Sequence, residues 1–241
     1  MKDVAPYRGT QPVRSAQPLP VIQRPNAMMH TVVAIGLVAM VSISAARPQS
    51  SKNIWEQQYK DRAAVDMAAQ FENDRRPVYR HRADIIKMLE LKPGMTVAEI
   101  GAGSGFLSRI ASQAIRPSGR VTATELDQKM VTYMNERAKA EGLGNFQAIL
   151  GSAAEANLKP KSMDAIFVVN TYSFFDKPLE MVRSISGAMK PGGVLLIVDF
   201  PSNGSEGVDP QHVIEVAAAA GLAFVDRRDV VPSHFALRFR K

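Results

Sequence analysis

Cysteine is absent from the sequence, which excludes a disulfide framework, a thiolate zinc centre and a cysteine nucleophile, and removes the usual marker of redox compartment. Histidine is scarce: His30, His81, His212 and His234 are scattered without the short spacing of a zinc-binding helix, so no metal site is expected. Charge of one sign is also missing from most of the chain. The formal net charge is +7, yet Lys2, Arg8, Arg14, Arg24, Arg47 and Lys52 against Asp3 place a net +5 before Asn53, and the 24 basic and 22 acidic residues that follow nearly cancel. An enzyme that grips nucleic acid needs a basic face, because neutralised phosphates supply most of the affinity. No nucleic-acid partner is therefore predicted. At 241 residues the chain can hold one large core, so one domain plus a tail is expected.

The tail divides in two. Residues 1–27 carry Pro6, Pro12, Pro18, Pro20 and Pro25 among Gln, Arg and small residues, a composition that predicts disorder. From Met28 to Ala46 no side chain is formally charged, and Val32, Val33, Ile35, Leu37, Val38, Met40, Val41 and Ile43 form an apolar run. The run is short for a span of roughly 20 residues and ends in Ser44-Ala45-Ala46. Residues 28–50 thus predict a signal peptide or membrane anchor, with membrane contact through 28–46 and an exported or anchored protein.

After the tail, helices at 54–72 and 78–89 predict a helical cap over 51–90, broken by Asn73-Asp74-Arg75-Arg76-Pro77. From Leu91 to Lys241, β-rich runs alternate with helical stretches. Strands are expected at 96–100, 120–125, 146–150, 165–170, 194–200, 223–228 and 235–240, with helices at 106–115, 128–141, 179–189 and 210–220. This alternation predicts an α/β fold, a doubly wound, mostly parallel seven-stranded sheet. Only a few residues around Val231-Pro232-Ser233 separate the last two strands, too few for a crossover helix, so the last strand must run antiparallel.

The chemistry gathers at the first strand. In Glu99-Ile100-Gly101-Ala102-Gly103-Ser104-Gly105, alternate glycines let the chain turn sharply with no Cβ between backbone and ligand. The dinucleotide pattern is GxGxxG; here the third glycine comes one residue early, which favours S-adenosyl-L-methionine over NAD. The second strand ends at Glu125-Leu126-Asp127, with a carboxylate about 20 residues beyond the glycines for a ribose. Glu125 is assigned that role, and Asp127 the cap of the next helix.

Together with Gly151-Ser152-Ala153-Ala154-Glu155 and Met189-Lys190-Pro191-Gly192-Gly193, these motifs resemble the class I S-adenosylmethionine-dependent methyltransferase superfamily. The resemblance implies a cofactor site of Glu99, Gly101, Ala102, Gly103, Gly105, Glu125 and Leu126, with Ser152 and Ala153 bracketing the adenine. Many members carry an aspartate where Ser152 stands. Phe71-Glu72-Asn73-Asp74-Arg75, Asn170-Thr171-Tyr172, Val198-Asp199-Phe200 and the closing Val231-Pro232-Ser233-His234-Phe235 are similar to small bacterial methyltransferases, often with export-type N-termini. Lys92-Pro93-Gly94-Met95 also resembles protein isoaspartyl and tRNA adenine methyltransferases, without their acceptor-binding signatures.

Methyl transfer is an in-line displacement that positioning alone can promote. Asn170, Thr171 and Tyr172 leave the carboxyl end of the fourth strand, where open α/β sheets keep ligands. Asn170 is expected at the methionine end of the cofactor, and Asn170 and Tyr172 at a small-molecule acceptor. His81, Tyr79 and Tyr59 on the cap are candidate bases, His81 foremost. Arg75, Arg76, Arg80 and Arg82 form either a solvated face or a grip for an anionic acceptor. Because the cofactor is made in the cytoplasm, the cytoplasmic face of a membrane stands as the alternative location.

Overall fold

The computed structural model describes residues 60–202 and 207–241. The expected tail at 1–27, the apolar run at 28–46 and residues 54–59 of the first expected helix lie outside them. Among the described residues no helix is long and apolar enough to cross a membrane.

Seven strands form one sheet: β1 (Thr96–Ile100), β2 (Arg120–Glu125), β3 (Phe146–Leu150), β4 (Met163–Val169), β5 (Met189–Asp199), β6 (Ala223–Arg227) and β7 (Phe235–Arg240), in the order β3-β2-β1-β4-β5-β7-β6. The pairings β2/β3, β1/β2, β1/β4 and β4/β5 are parallel. β7 is antiparallel to both β5 and β6, as the short gap before it requires.

Alternate residues of the central strands feed two separate cores, because side chains on a strand point to opposite faces. Ile166, Val168, Leu195 and Ile197 pack on one face. Ala165, Phe167, Val169, Leu196 and Val198 pack on the other. Burial on both faces explains why these strands read as continuous apolar runs rather than alternating ones. Around the sheet stand α1 (Ala64–Phe71), α2 (Pro77–Arg80), α3 (Arg82–Met88), α4 (Phe106–Ala114), α5 (Gln128–Ala140), α6 (Pro178–Ala188) and α7 (Pro210–Ala219).

The cap departs from its sequence expectation. Among the described residues of the first expected helix, 60–63 are turn and extended chain, with Ala63 at φ −68°, ψ 144°, and the helix runs from Ala64. The second is split at His81, whose ψ of 18° leaves the helical region although its N–H still reaches Pro77 O at 2.9 Å. β4 ends at Val169, since Asn170 turns to φ +52°. β5 begins five residues earlier than expected, where Met189 pairs with Met163.

The far edge of the sheet is clamped to the cap by one side chain. Arg238 on β7 is 5% exposed. Its Nε and Nη2 donate to the two Asp226 oxygens at 2.7 and 2.8 Å, and its Nη1 donates to Met88 O and Glu90. Removing the guanidinium would leave Met88 O and the part-buried Asp226 carboxylate without their donor, while the half-exposed Glu90 turns to water. Arg238→Met is expected to lower unfolding stability by about 2 kcal/mol, measured by urea denaturation, while leaving the glycine loop intact.

Candidate active site

A cleft, partly open to solvent, lies at the carboxyl ends of β1, β2 and β4. Its floor is the turn from β1 into α4. Gly101, Gly103 and Gly105 all have positive φ (72°, 56° and 71°), a region in which a Cβ is strained. At Gly101 the demand is also steric: a Cβ there would stand 2.2 Å from the Thr171 side chain. Thr171 Oγ1 in turn donates to Gly101 O and Val169 O at 3.2 and 3.1 Å. The two loops that close the floor therefore touch.

Two buried carboxylates flank that floor in different ways. Glu125 accepts from Gly103 N through Oε2 at 2.8 Å, and from Leu126 N and Asp127 N through Oε1 at 2.6 and 3.3 Å. Burial raises its pKa, and the three backbone N–H groups pull the other way. Oε2, which accepts a single bond, keeps a lone pair for a further donor, such as a ribose hydroxyl. Glu99 is 3% exposed and accepts from Ser108 N and Ser108 Oγ on α4. Burial pushes it up to about 8, against the two bonds from Ser108, so at neutral pH Glu99 is largely protonated.

At the end of β4, Asn170 lines the cleft, and its buried Oδ1 has no hydrogen-bond partner among the described residues. Ser104 Oγ, on the glycine loop, is in the same condition. Asp199, fully buried at the end of β5, accepts from Ser173 N, Ser173 Oγ and Phe200 N at 3.1, 3.3 and 2.8 Å. Its carboxylate thereby fixes the short 3-10 turn Tyr172–Phe174 that brings Phe174 and Phe175 to the cleft wall.

The cap supplies the opposite wall. Phe71 lies over the glycine loop, 3.2 Å from where a Gly103 Cβ would be. Arg76, its guanidinium 5.3 Å from the Phe71 ring, and Val78 line the cleft beside it. Glu72 anchors this wall: it pairs with Arg109 on α4 at 3.1 Å and with Arg137 on α5 at 3.0 Å. Glu141 closes the network through Arg109 (3.2 Å) and Arg137 (2.9 Å). Arg109 also donates to Ser104 O at 2.9 Å, so one guanidinium ties the cap to the glycine loop.

Of the residues expected at the site, Glu99, Gly101, Ala102, Gly103, Glu125, Leu126, Ser152, Ala153 and Asn170 are brought together around this cleft. Three are placed elsewhere. Gly105 faces away from the lining; a Cβ there would stand 2.7 Å from Met134 Sδ, so its missing side chain serves the packing of α5. Tyr172 is 2% exposed and sits in the core behind the wall, because the left-handed Asn170 and the 3-10 turn rotate it inward. His81 lies beside Asp84, at 3.5 Å, in a separate recess with Met88, Arg228 and Val230, outside the lining. Ser152 is at the cleft, with its hydroxyl accepting from Ala154 N and Glu155 N at 3.1 and 3.3 Å.

Residues 98–197 match the family of methyltransferase domains. That match runs from β1 into β5, the part of the sheet that carries the glycine floor. A ubiquinone/menaquinone biosynthesis C-methyltransferase of Legionella pneumophila is 28% identical over 129 residues, 53% of this chain and 51% of that one. A demethylmenaquinone methyltransferase of Listeria welshimeri is 25% identical over 118 residues, 49% of this chain and 50% of that one. The chain spans about half the length of these curated relatives. Among solved structures, a SAM-dependent methyltransferase from Aquifex aeolicus aligns with TM-score 0.62 and 23% identity, over 71% of this chain and 95% of that one. The Haemonchus contortus phosphoethanolamine N-methyltransferase 2, in complex with S-adenosyl-L-methionine, aligns with TM-score 0.62 and 20% identity, over 75% and 45%. Both likenesses concern the fold.

The residues present fit S-adenosyl-L-methionine. The unpartnered Asn170 Oδ1 is the acceptor an ammonium group needs, and the unpartnered Ser104 Oγ the donor a carboxylate needs. Glu125 answers the ribose hydroxyls, and Leu126 and Ala153 offer apolar edges to an adenine. Arg76 was read as one of four arginines on either a solvated face or an anion grip, and of these it is the one at the cleft; Phe71, Ser104, Phe174 and Phe175 were not assigned to the site from the sequence, and for Phe71 the signal was the Phe71-Glu72-Asn73 motif.

Two expected outcomes follow from this geometry. Gly101→Ala, strained and pressed against Thr171, should weaken cofactor binding by at least about tenfold in calorimetric titration. For Glu99, whose folded pKa of about 8 exceeds its ordinary 4.5, the stabilising contribution is complete below the ordinary value and is lost as pH rises through about 8. Unfolding free energy should therefore fall across that window, and Glu99→Gln, which keeps an acceptor for Ser108, should flatten the slope.

Proposed function

We propose that the chain transfers the methyl group of S-adenosyl-L-methionine to a small organic acceptor. The observation that carries this reading is the convergence on one cleft of the glycine floor, the Glu125 carboxylate and the unpartnered Asn170 and Ser104 atoms, with an aromatic wall facing them. The bound cofactor supplies an electrophilic methyl on a sulfonium centre. The protein's part is to hold the two reactants in line and to keep water away, which can account for much of a rate enhancement.

Phe71, Phe174 and Phe175 give the cleft an apolar, planar interior beside the Arg76 cation, suited to a flat molecule with a polar edge. The printed names of the two curated relatives place them in ubiquinone and menaquinone biosynthesis and on demethylmenaquinone, which supports a small-molecule acceptor. The near balance of charge after Asn53 also speaks for one, since a nucleic-acid substrate would call for a basic face.

Saturable binding of S-adenosyl-L-methionine to the full chain is expected by isothermal titration; none at millimolar cofactor would refute the reading. Glu125→Gln, which removes the charge that ribose hydroxyls meet, should cost about ten- to hundredfold in affinity. Transfer of labelled methyl to the low-molecular-mass fraction of a cell extract, rather than to protein or RNA, is expected of the wild type.

The uncharged apolar run at 28–46 supports export or membrane anchorage of the domain. A reporter fused after Lys52 should be recovered outside the cytoplasm or with membranes. Recovery wholly in the soluble cytoplasmic fraction would overturn that placement.

A further inference from the structure

Of the expected bases, His81 and Tyr79 are outside the cleft lining and Tyr59 lies outside the described residues. Another imidazole stands at the same edge of the sheet. Because β7 runs antiparallel to β5 and Asp199 pairs with Phe235, the residue before β7 stands level with the carboxyl ends of β4 and β5. That residue is His234.

The turn that presents it is specialised. His234 N donates to Val231 O at 3.1 Å, and Ser233 between them is held at φ +63°, a conformation a non-glycine residue adopts only under constraint. His234 Nδ1 lies 2.9 Å from Pro232 O. A carbonyl only accepts, so Nδ1 carries the hydrogen and Nε2 presents a lone pair. The ring is 3% exposed, and Nε2 has no hydrogen-bond partner among the described residues. Native proteins rarely leave a buried acceptor in that state without a reason.

The imidazole is not itself among the residues that line the cleft, but its surroundings lead there. Val231 of the turn belongs to the same apolar cluster as Val78, and the Arg76 charge opposes one on the ring; Val78 and Arg76 both line the cleft. A third neighbour, Phe200, stacks on the imidazole at 4.1 Å while 44% exposed. A ring with so much of its surface in solvent is a cover that can turn aside. Burial chiefly, and the Arg76 charge, lower the imidazole pKa, with the bond to Pro232 O opposing them, so the ring is neutral at physiological pH, the state of a base.

We propose that His234 Nε2 is the base that takes the acceptor's proton, and that the acceptor is a planar phenol or enol whose hydroxyl enters between His234 and Arg76. The inference rests on the methyl-transfer reading above. In the step, the acceptor O–H bond breaks and its proton passes to Nε2, giving an imidazolium. The bonding pair stays on the acceptor oxygen as an oxyanion conjugated through the ring, facing the Arg76 cation. The imidazolium later returns the proton to solvent. An amine that is protonated in water would instead meet Arg76 as a like charge.

The full chain mixed with 4-nitrophenol, at a pH where that phenol is mostly un-ionised in water, tests this with and without S-adenosylhomocysteine. A saturable rise of the nitrophenolate absorption band is expected. His234→Gln should weaken it by about tenfold or more, and Arg76→Met should also weaken it. No saturable band, or an equal band in His234→Gln, would overturn the proposal. Should His234→Gln fail to fold by circular dichroism, nitrogen NMR of the four imidazoles in the wild type decides: one Nδ1–H tautomer must shift its Nε2 signal on adding 4-nitrophenol, and an unmoved spectrum refutes the assignment. Cofactor titration of the same samples separates the two readings. Cofactor binding without nitrophenolate sinks the base; nitrophenolate without cofactor binding sinks methyl transfer.

Discussion

Three backbone N–H groups converge on the carboxylate of Glu125, and the cleft depends on that convergence. Gly103 N comes from the loop after β1, whereas Leu126 N and Asp127 N continue from β2 itself. One side chain thus joins the ends of two adjacent parallel strands, and it does so with an acceptor group that still has capacity left. A neutral side chain could bridge the loops but would not draw ribose hydroxyls with a charge-assisted bond. Glu99, the other acid of the floor, is answered among the described residues by Ser108, and burial keeps it largely protonated. Side by side, one acid is set up to receive hydrogen bonds from two strand ends and the other to hold α4 against β1.

The opposite wall depends on a different kind of bond. Phe71 can lie over Gly103 only because Glu72, next in the chain, is held by Arg109 and Arg137. Side chains of Arg109 and Glu72 are 9% and 11% exposed, so this is a desolvated network in which each charge needs its partners. Arg109 also donates to Ser104 O. The cap and the cofactor loop are therefore mechanically one piece, although about thirty residues of chain separate Glu72 from the glycine motif.

The strands and the glycine floor were legible in the sequence because their causes are local: apolar runs of strand length, a turn that demands glycine, and a carboxylate at the next strand end. Asp127 was legible for the same reason, and its side chain does cap α5 by accepting from Lys129 N at 2.8 Å. The two corrections at the rim have non-local causes. Counting outward from β4 assumes that strand alternation continues, but Asn170 at φ +52° ends the strand and the 3-10 turn held by Asp199 exchanges Tyr172 for Phe174 and Phe175 at the wall. His81 was read as one position on a continuous helix; the break at His81 itself leaves it beside Asp84. Phe71 over Gly103 and Arg76 beside it depend on a pairing between Glu72 and Arg109, which no window of sequence contains.

The antiparallel last strand carries a consequence of its own. In a wholly parallel sheet every residue that precedes a strand lies at the amino edge, away from the ligand. Reversing β7 brings the residue before it to the carboxyl edge, beside the end of β5. A side chain placed there stands on the β5 side of the sheet, away from the glycine loop after β1, and it is fixed by a turn rather than by the cap. The strand gap too short for a helix, first read as a limit on topology, thereby also determines from which side a second functional group can reach the acceptor.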